Sequence, residues 1–138
     1  MKFVVDTNAV SEFRKGRKAD RGFREWADRV AISDLAISVV TLQELETGIL
    51  LVARRDQPQA LVFRAWFDHF VLPQFRDRIL PVDDDVAIRC APLHVPHPRP
   101  YPDSLIAATA LVHNLTVVTR NVSHFKPMGV SLLNPWGA

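Results

Sequence analysis

Three acids stand where chemistry could be done. Asp6 directly follows an apolar, β-branched run, Phe3-Val4-Val5. Glu44 lies one helical turn beyond a second apolar run, LAISVV at 35–40. Asp103 opens an apolar, alanine-rich stretch, Ser104–Val112, that leads into a third run, LTVVT at 115–119. In an open parallel sheet, ligands bind outside the carboxyl ends of the strands. Acids placed at three such ends therefore converge on one edge. Carboxylates brought together repel, and at least one pKa rises unless a cation is shared. Hard oxygen donors suit Mg²⁺ or Mn²⁺. Such ions activate water and stabilise the leaving oxygen in phosphodiester hydrolysis, with no covalent nucleophile.

Each acid also has a plain structural explanation. Asp6 could hold a turn through its side chain. Thr41-Leu42-Gln43-Glu44 fits a capping box. Asp103 could be an N-cap. Caps explain the acids separately but not their convergence. Gly48, one turn after Glu44 on the same helix face, favours convergence. Its missing side chain leaves room beside the carboxylate for water, metal or substrate.

The remaining candidates are weaker. Asn121 follows Arg120 at the end of the LTVVT run, where an acid would be informative. It is expected at the site edge as a neutral member, with a simple turn asparagine as the alternative. Arg14, Lys15, Arg17, Lys18 and Arg21 form a basic run. By itself such a run is a solvated face; beside the site it would, with Arg120, guide a phosphate backbone. His94 and His97 lie on a proline-rich loop without cysteines and read as solvated rather than zinc-binding. His124 is a lone histidine with a structural expectation, and His69 and His113 read as helix positions. The chain holds no GxSxG, GxxxxGK[ST] or GxGxxG pattern. A phosphotransfer mechanism through Asp6 would want an acid at position 8, which is Asn8.

The elements that must place these groups follow from periodicity. Apolar runs predict strands at 3–5, 35–40, 79–82, 115–119 and 130–133. The chain is expected to turn at Asp6-Thr7-Asn8. Helical spacing predicts helices over roughly 19–32, from Thr41, from Pro58 to about Pro73, from Asp83-Asp84-Asp85, and over 104–112. Five prolines exclude regular structure from 92–102. Alternating strands and helices imply an α/β fold, a three-layer α/β/α sandwich on a parallel sheet.

The chain has 138 residues, fitting a single domain over 1–138. Its net charge of +2 does not by itself announce a nucleic-acid partner. The lone cysteine, Cys90, excludes an internal disulfide framework and reads as a buried core residue. Asp6 interrupts the N-terminal apolar run too early for a signal peptide. No apolar stretch approaches the ~20 residues of a membrane span. The expectation is a cytoplasmic protein with no membrane role.

Taken together, FVVDTNAVSE, SVVTLQELETGI, DSLIAATALVHNLTVVTRNVSHF and the terminal NPW resemble the PIN-domain ribonucleases. The likeness is to VapC-type toxins of toxin–antitoxin pairs, in the FitB-like branch. The resemblance implies a five-stranded parallel sheet and Mg²⁺- or Mn²⁺-dependent endonucleolytic cleavage of RNA. Asp6, Glu44 and Asp103 match the family's acidic metal-site positions. Thr7, Asn8 and Thr119 match polar positions that support the acids. The family implies a homodimer and a small antitoxin that inserts a segment into the active-site groove. Promoter DNA would be bound only through the antitoxin. Two departures stand out. Asn121 and His124 occupy the region where many relatives carry a fourth acid, and the loop before Asp103 is short and proline-rich. A non-catalytic module that binds RNA or a partner is the alternative.

Overall fold

The computed structural model describes residues 1–137. Five strands form one sheet: β1 (Phe3–Val5), β2 (Leu35–Ser38), β3 (Ile79–Leu80), β4 (Thr116–Val118) and β5 (Leu132–Leu133). They lie in the order β3-β2-β1-β4-β5, and every pairing is parallel. The first strand is therefore central, with Val4 opposite Ala36 on one side and Val117 on the other. Parallel order places all five carboxyl ends on one edge, as the expected fold requires.

Successive strand residues point to opposite faces. Val5, Leu35, Ile37 and Val118 enter one core, with Phe23, Trp26, Ile49, Phe67 and Phe75. Val4, Ala36, Leu80 and Val117 enter the other, with Ile106, Ala107, Ala110 and Phe125. Strands buried on both faces read as continuous apolar runs, which makes them legible in sequence. The helices are α1 (Thr7–Arg14), α2 (Arg21–Arg29), α3 (Val39–Ala53), α4 (Gln57–Trp66), α5 (Leu72–Phe75), α6 (Asp84–Cys90), α7 (Tyr101–His113) and α8 (Val122–Phe125).

Caps set most helix starts. Asp20, Asp56 and Asp83 accept from the amides of Phe23, Gln59 and Val86 at 3.1, 3.0 and 3.0 Å. Asn114 ends α7 in the left-handed region at φ 57°. Cys90 is buried and free. Among the described residues, no helix is long and apolar enough to cross a membrane.

Several elements are shorter than the sequence expectation, and four boundaries differ for an identifiable reason. The supposed turn after β1 opens directly into α1, a short helix whose buried side chains are only Ala9, Val10 and Glu12. So little apolar periodicity could not announce it. The second apolar run is cut at Ser38, whose hydroxyl caps Val40 at 3.0 Å and starts α3 before Thr41. Pro73 is expected to end or kink the helix from Pro58, and that helix is interrupted shortly before it. A wide turn at Phe67–Val71 intervenes, and Pro73 sits in the first turn of α5, where its missing N–H costs nothing. Finally, α7 begins at Tyr101, so Asp103 lies inside its first turn.

Candidate active site

Six of the expected residues meet at the carboxyl edge. Asp6, Thr7, Asn8, Glu44, Asp103 and Asn121, with Ile106, line a hollow of about 70 Å³. Asp6 ends the central strand, and its amide still donates to Val118 at 3.0 Å. Its Oδ1 accepts from the Ala9 amide at 2.9 Å, so it also caps α1. The cap and the site are thus one residue, since a helix N-terminus favours negative charge.

Glu44 is not in a capping box. Thr41 is fully buried inside α3 and offers no start to cap. Instead Thr7 Oγ1 donates to Glu44 Oε1 at 2.6 Å and lies 3.1 Å from Thr41 Oγ1. This chain of hydroxyls fixes the carboxylate from behind. Asp103 caps nothing either: Pro100 holds the N-cap position of α7, without a side-chain hydrogen bond. Two of the three innocent explanations therefore fail, and the third coexists with the hollow.

The electrostatics agree. Burial pushes the Asp6 carboxyl above its ordinary value. The Thr119 hydroxyl and the Ala9 amide oppose the rise, and the charges of Asp103 and Glu44 add to it. Thr119 is fully buried behind the site and accepts from the Asn121 amide at 2.9 Å. That bond shapes the turn that brings Asn121 to the hollow.

The donor set suits a hard divalent cation: three carboxylates, two amides and a hydroxyl, all oxygen-bearing, with mutual repulsion that a cation would relieve. Among the described residues, the acids with the tightest mutual spacing are Asp83, Asp84 and Asp85, whose oxygens lie within 4.8 Å of one another. They are exposed at the start of α6, where Asp83 serves as the cap. The Asp6 hollow is more open than that.

His124, in the region where the resemblance puts a fourth acid, stands beside the site, and the sequence does not disclose its partner. Its Nδ1 lies 3.3 Å from Asp103 Oδ2. The clue is its place three residues after Asn121, but nothing in sequence shows α8 folding back onto α7. The basic run is split by structure. Arg14 lies against Phe63 and Trp66, with its guanidinium carbon 4.0 and 5.7 Å from their ring centroids. Lys15 pairs with Glu12 at 2.9 Å. Arg21 pairs with Glu25 at 3.1 Å. Arg17 and Lys18 are exposed on a short turn, and neither lines the hollow. Arg120 is exposed as well and lies near Asp20 rather than in the hollow. His94 does not pair with His97. It bonds the Ser104 hydroxyl at 2.9 Å and the Arg99 amide at 3.3 Å, tying the proline-rich loop to α7.

The fold that carries this hollow is shared with known proteins. Residues 3–127 match the PIN domain family, and the chain belongs to it. It is 34% identical to "VapC ribonuclease Y4jK" of Sinorhizobium fredii, over 96% of each chain. It is 33% identical to "Toxin FitB" of Neisseria gonorrhoeae, over 96% of this chain and 97% of that one. The crystal structure of FitAcB from Neisseria gonorrhoeae matches with a TM-score of 0.88 at 30% identity, over 99% of both chains. The structure of FitAB bound to an IR36 DNA fragment matches at 0.84 and 30% identity, over 99% of this chain and 96% of that one.

Proposed function

We propose that this chain is a Mg²⁺- or Mn²⁺-dependent endoribonuclease and the toxin of a toxin–antitoxin pair. The observation that carries the reading is the buried, repelling carboxylate of Asp6 in a hollow it shares with Glu44 and Asp103. The relatives named as ribonuclease and toxin support it, being alike over nearly the whole chain. In this reading Asp6, Asp103 and Glu44 hold the metal. When bound, the ion supplies an acidified water and charge stabilisation at the leaving oxygen.

The chain's own residues do the rest. Thr7 orients Glu44, which accepts a proton from the attacking water. Asn121 holds a water by hydrogen bonding without adding charge. His124 steadies Asp103. Thr119 supports Asp6 from behind, and the amide of Asn8 faces the same space. Arg14 meets the substrate beside the site, while Arg17, Lys18 and Arg120 meet the backbone further away; Lys15 has its charge largely answered by Glu12. The partner is a small antitoxin, in line with the FitAB structure, and promoter DNA is reached through it. A homodimer and a cytoplasmic location belong to the same reading.

The test is RNA cleavage by the purified, antitoxin-free chain under Mg²⁺, Mn²⁺ and chelator, with Asp6→Asn beside wild type. The expected result is cleavage that needs metal and falls at least about 100-fold in the variant, which stays folded. Wild-type rates in a folded Asp6→Asn would sink the reading. The neutral Asn121 in place of an acid favours one alternative, a module that binds RNA or a partner without cutting. RNA retention with no metal-dependent products would select it.

A further inference from the structure

A second groove lies between α1, α3 and α4, of about 190 Å³. Thr7 and Glu44 line both this groove and the acidic hollow, so the two adjoin. Phe63 and Trp66 line it too, and the Arg14 guanidinium carbon lies 4.0 Å from the Phe63 ring centroid and 5.7 Å from that of Trp66. Arg14 is half-buried; none of its nitrogens is buried without a partner, and the guanidinium makes no ion pair among the described residues. Gly48 also lines the groove, and a Cβ there would meet nothing within 4 Å.

This is a guanidinium backed by two aromatic rings beside the expected point of cleavage. Single-stranded RNA is held by stacking unpaired bases on aromatic rings and on Arg planes. A groove of this size takes one base rather than a helix or a folded partner. Its unanswered positive charge complements the adjoining phosphate. We propose that the groove is the subsite for the nucleobase flanking the scissile phosphate. The outward face of the Arg14 guanidinium supplies the stacking surface, Phe63 and Trp66 back it, and Gly48 leaves the room. The proposal rests on the ribonuclease reading and names where that activity selects its substrate.

The test uses the full chain and a short RNA that it cuts. Single abasic nucleotides are placed in turn at each position around the cut. In wild type, an abasic nucleotide at one flanking position lowers kcat/KM about 10-fold. Gly48→Leu adds a side chain at a position that lines the groove, in open space and without backbone strain. It cuts the intact RNA about 10-fold more slowly, and the same abasic nucleotide adds no further loss. Arg14→Gln shrinks the abasic penalty in the same place, and serves if Gly48→Leu does not fold. A flat abasic series with normal cutting overturns the subsite alone, as does a full penalty retained in folded Gly48→Leu. Gly48→Leu that cuts normally but escapes its antitoxin assigns the groove to the protein partner and overturns the base subsite. A wild-type chain that cuts no RNA overturns the ribonuclease reading and the subsite with it.

Discussion

At the scale of single residues, the site depends on groups that hold the carboxylates as much as on the carboxylates. Thr7 is the sharpest case. Its hydroxyl is the partner of Glu44 at 2.6 Å, and Thr41 beside it is fully buried. Thr7→Val keeps the shape but removes the donor, leaving Glu44 free to rotate. Groups that orient ligands in this way typically contribute about 10–100-fold in metal affinity. Mn²⁺ titration of Thr7→Val by calorimetry should show a loss of about that size with an unchanged fold. An unaltered affinity would mean that Thr7 is only packing. His124 plays the weaker part, since it is largely exposed and its distance to Asp103 is long for a hydrogen bond.

At the scale of elements, the C-terminal stretch acts as a clasp on α2. Trp136 packs on Phe23 with ring centroids 4.9 Å apart. The Gly137 amide donates to Asp20 Oδ2 at 2.9 Å, the same oxygen that caps Phe23. The close approach is possible because residue 22 is glycine. A Cβ there would stand 2.6 Å from Gly137 N and 2.7 Å from Pro135 O, both backbone atoms that cannot turn aside. Gly22→Ala should therefore displace the clasp and destabilise the protein by about 1–3 kcal/mol, the usual range for overpacking. Thermal unfolding would give the magnitude, and faster proteolysis after Trp136 loosens would give the place. The same position also shows why the terminal NPW belongs with the fold rather than hanging from it.

At the scale of the whole molecule, acid stability has an identifiable contributor in Glu12. Burial would raise its carboxyl, but the Asp20 amide and Lys15 outweigh burial and hold it below its ordinary value of 4.5. The amide bond is 2.8 Å and ties α1 to the start of α2. A depressed folded pKa adds stability at pH above the unfolded value, and that stability is lost as pH falls through the folded value. Unfolding should thus become easier as pH drops below about 4.5, and Glu12→Gln should flatten that limb of the curve. Denaturant midpoints across the acid range would decide it. A limb as steep in the variant as in wild type would place the acid sensitivity elsewhere.

Much of this protein is legible in its sequence. The apolar runs at Phe3–Val5, 35–40 and 115–119 read as strands, because a sheet covered on both faces needs no alternation. Their alternation with helical patterns then fixes the layered α/β class. Asp6, Glu44 and Asp103 are legible as acids at strand ends, since a parallel sheet gathers those ends on one edge. Contact is what sequence does not decide. Thr41–Glu44 has the spacing of a capping box, yet Ser38 starts that helix, and only packing of α1 against α3 gives Thr7 to Glu44. His124 and Asp103 are far apart in the chain and meet because α8 folds over α7. Five adjacent bases look like one patch, but the turn at Gly16 and the acids of α1 and α2 send them to different neighbours. Arg14 alone of the five reaches the groove beside the site. Periodicity reports which face of an element is buried, a local property of side-chain spacing. Which atoms then stand within hydrogen-bonding distance depends on how those faces dock, and that is written only in the tertiary structure.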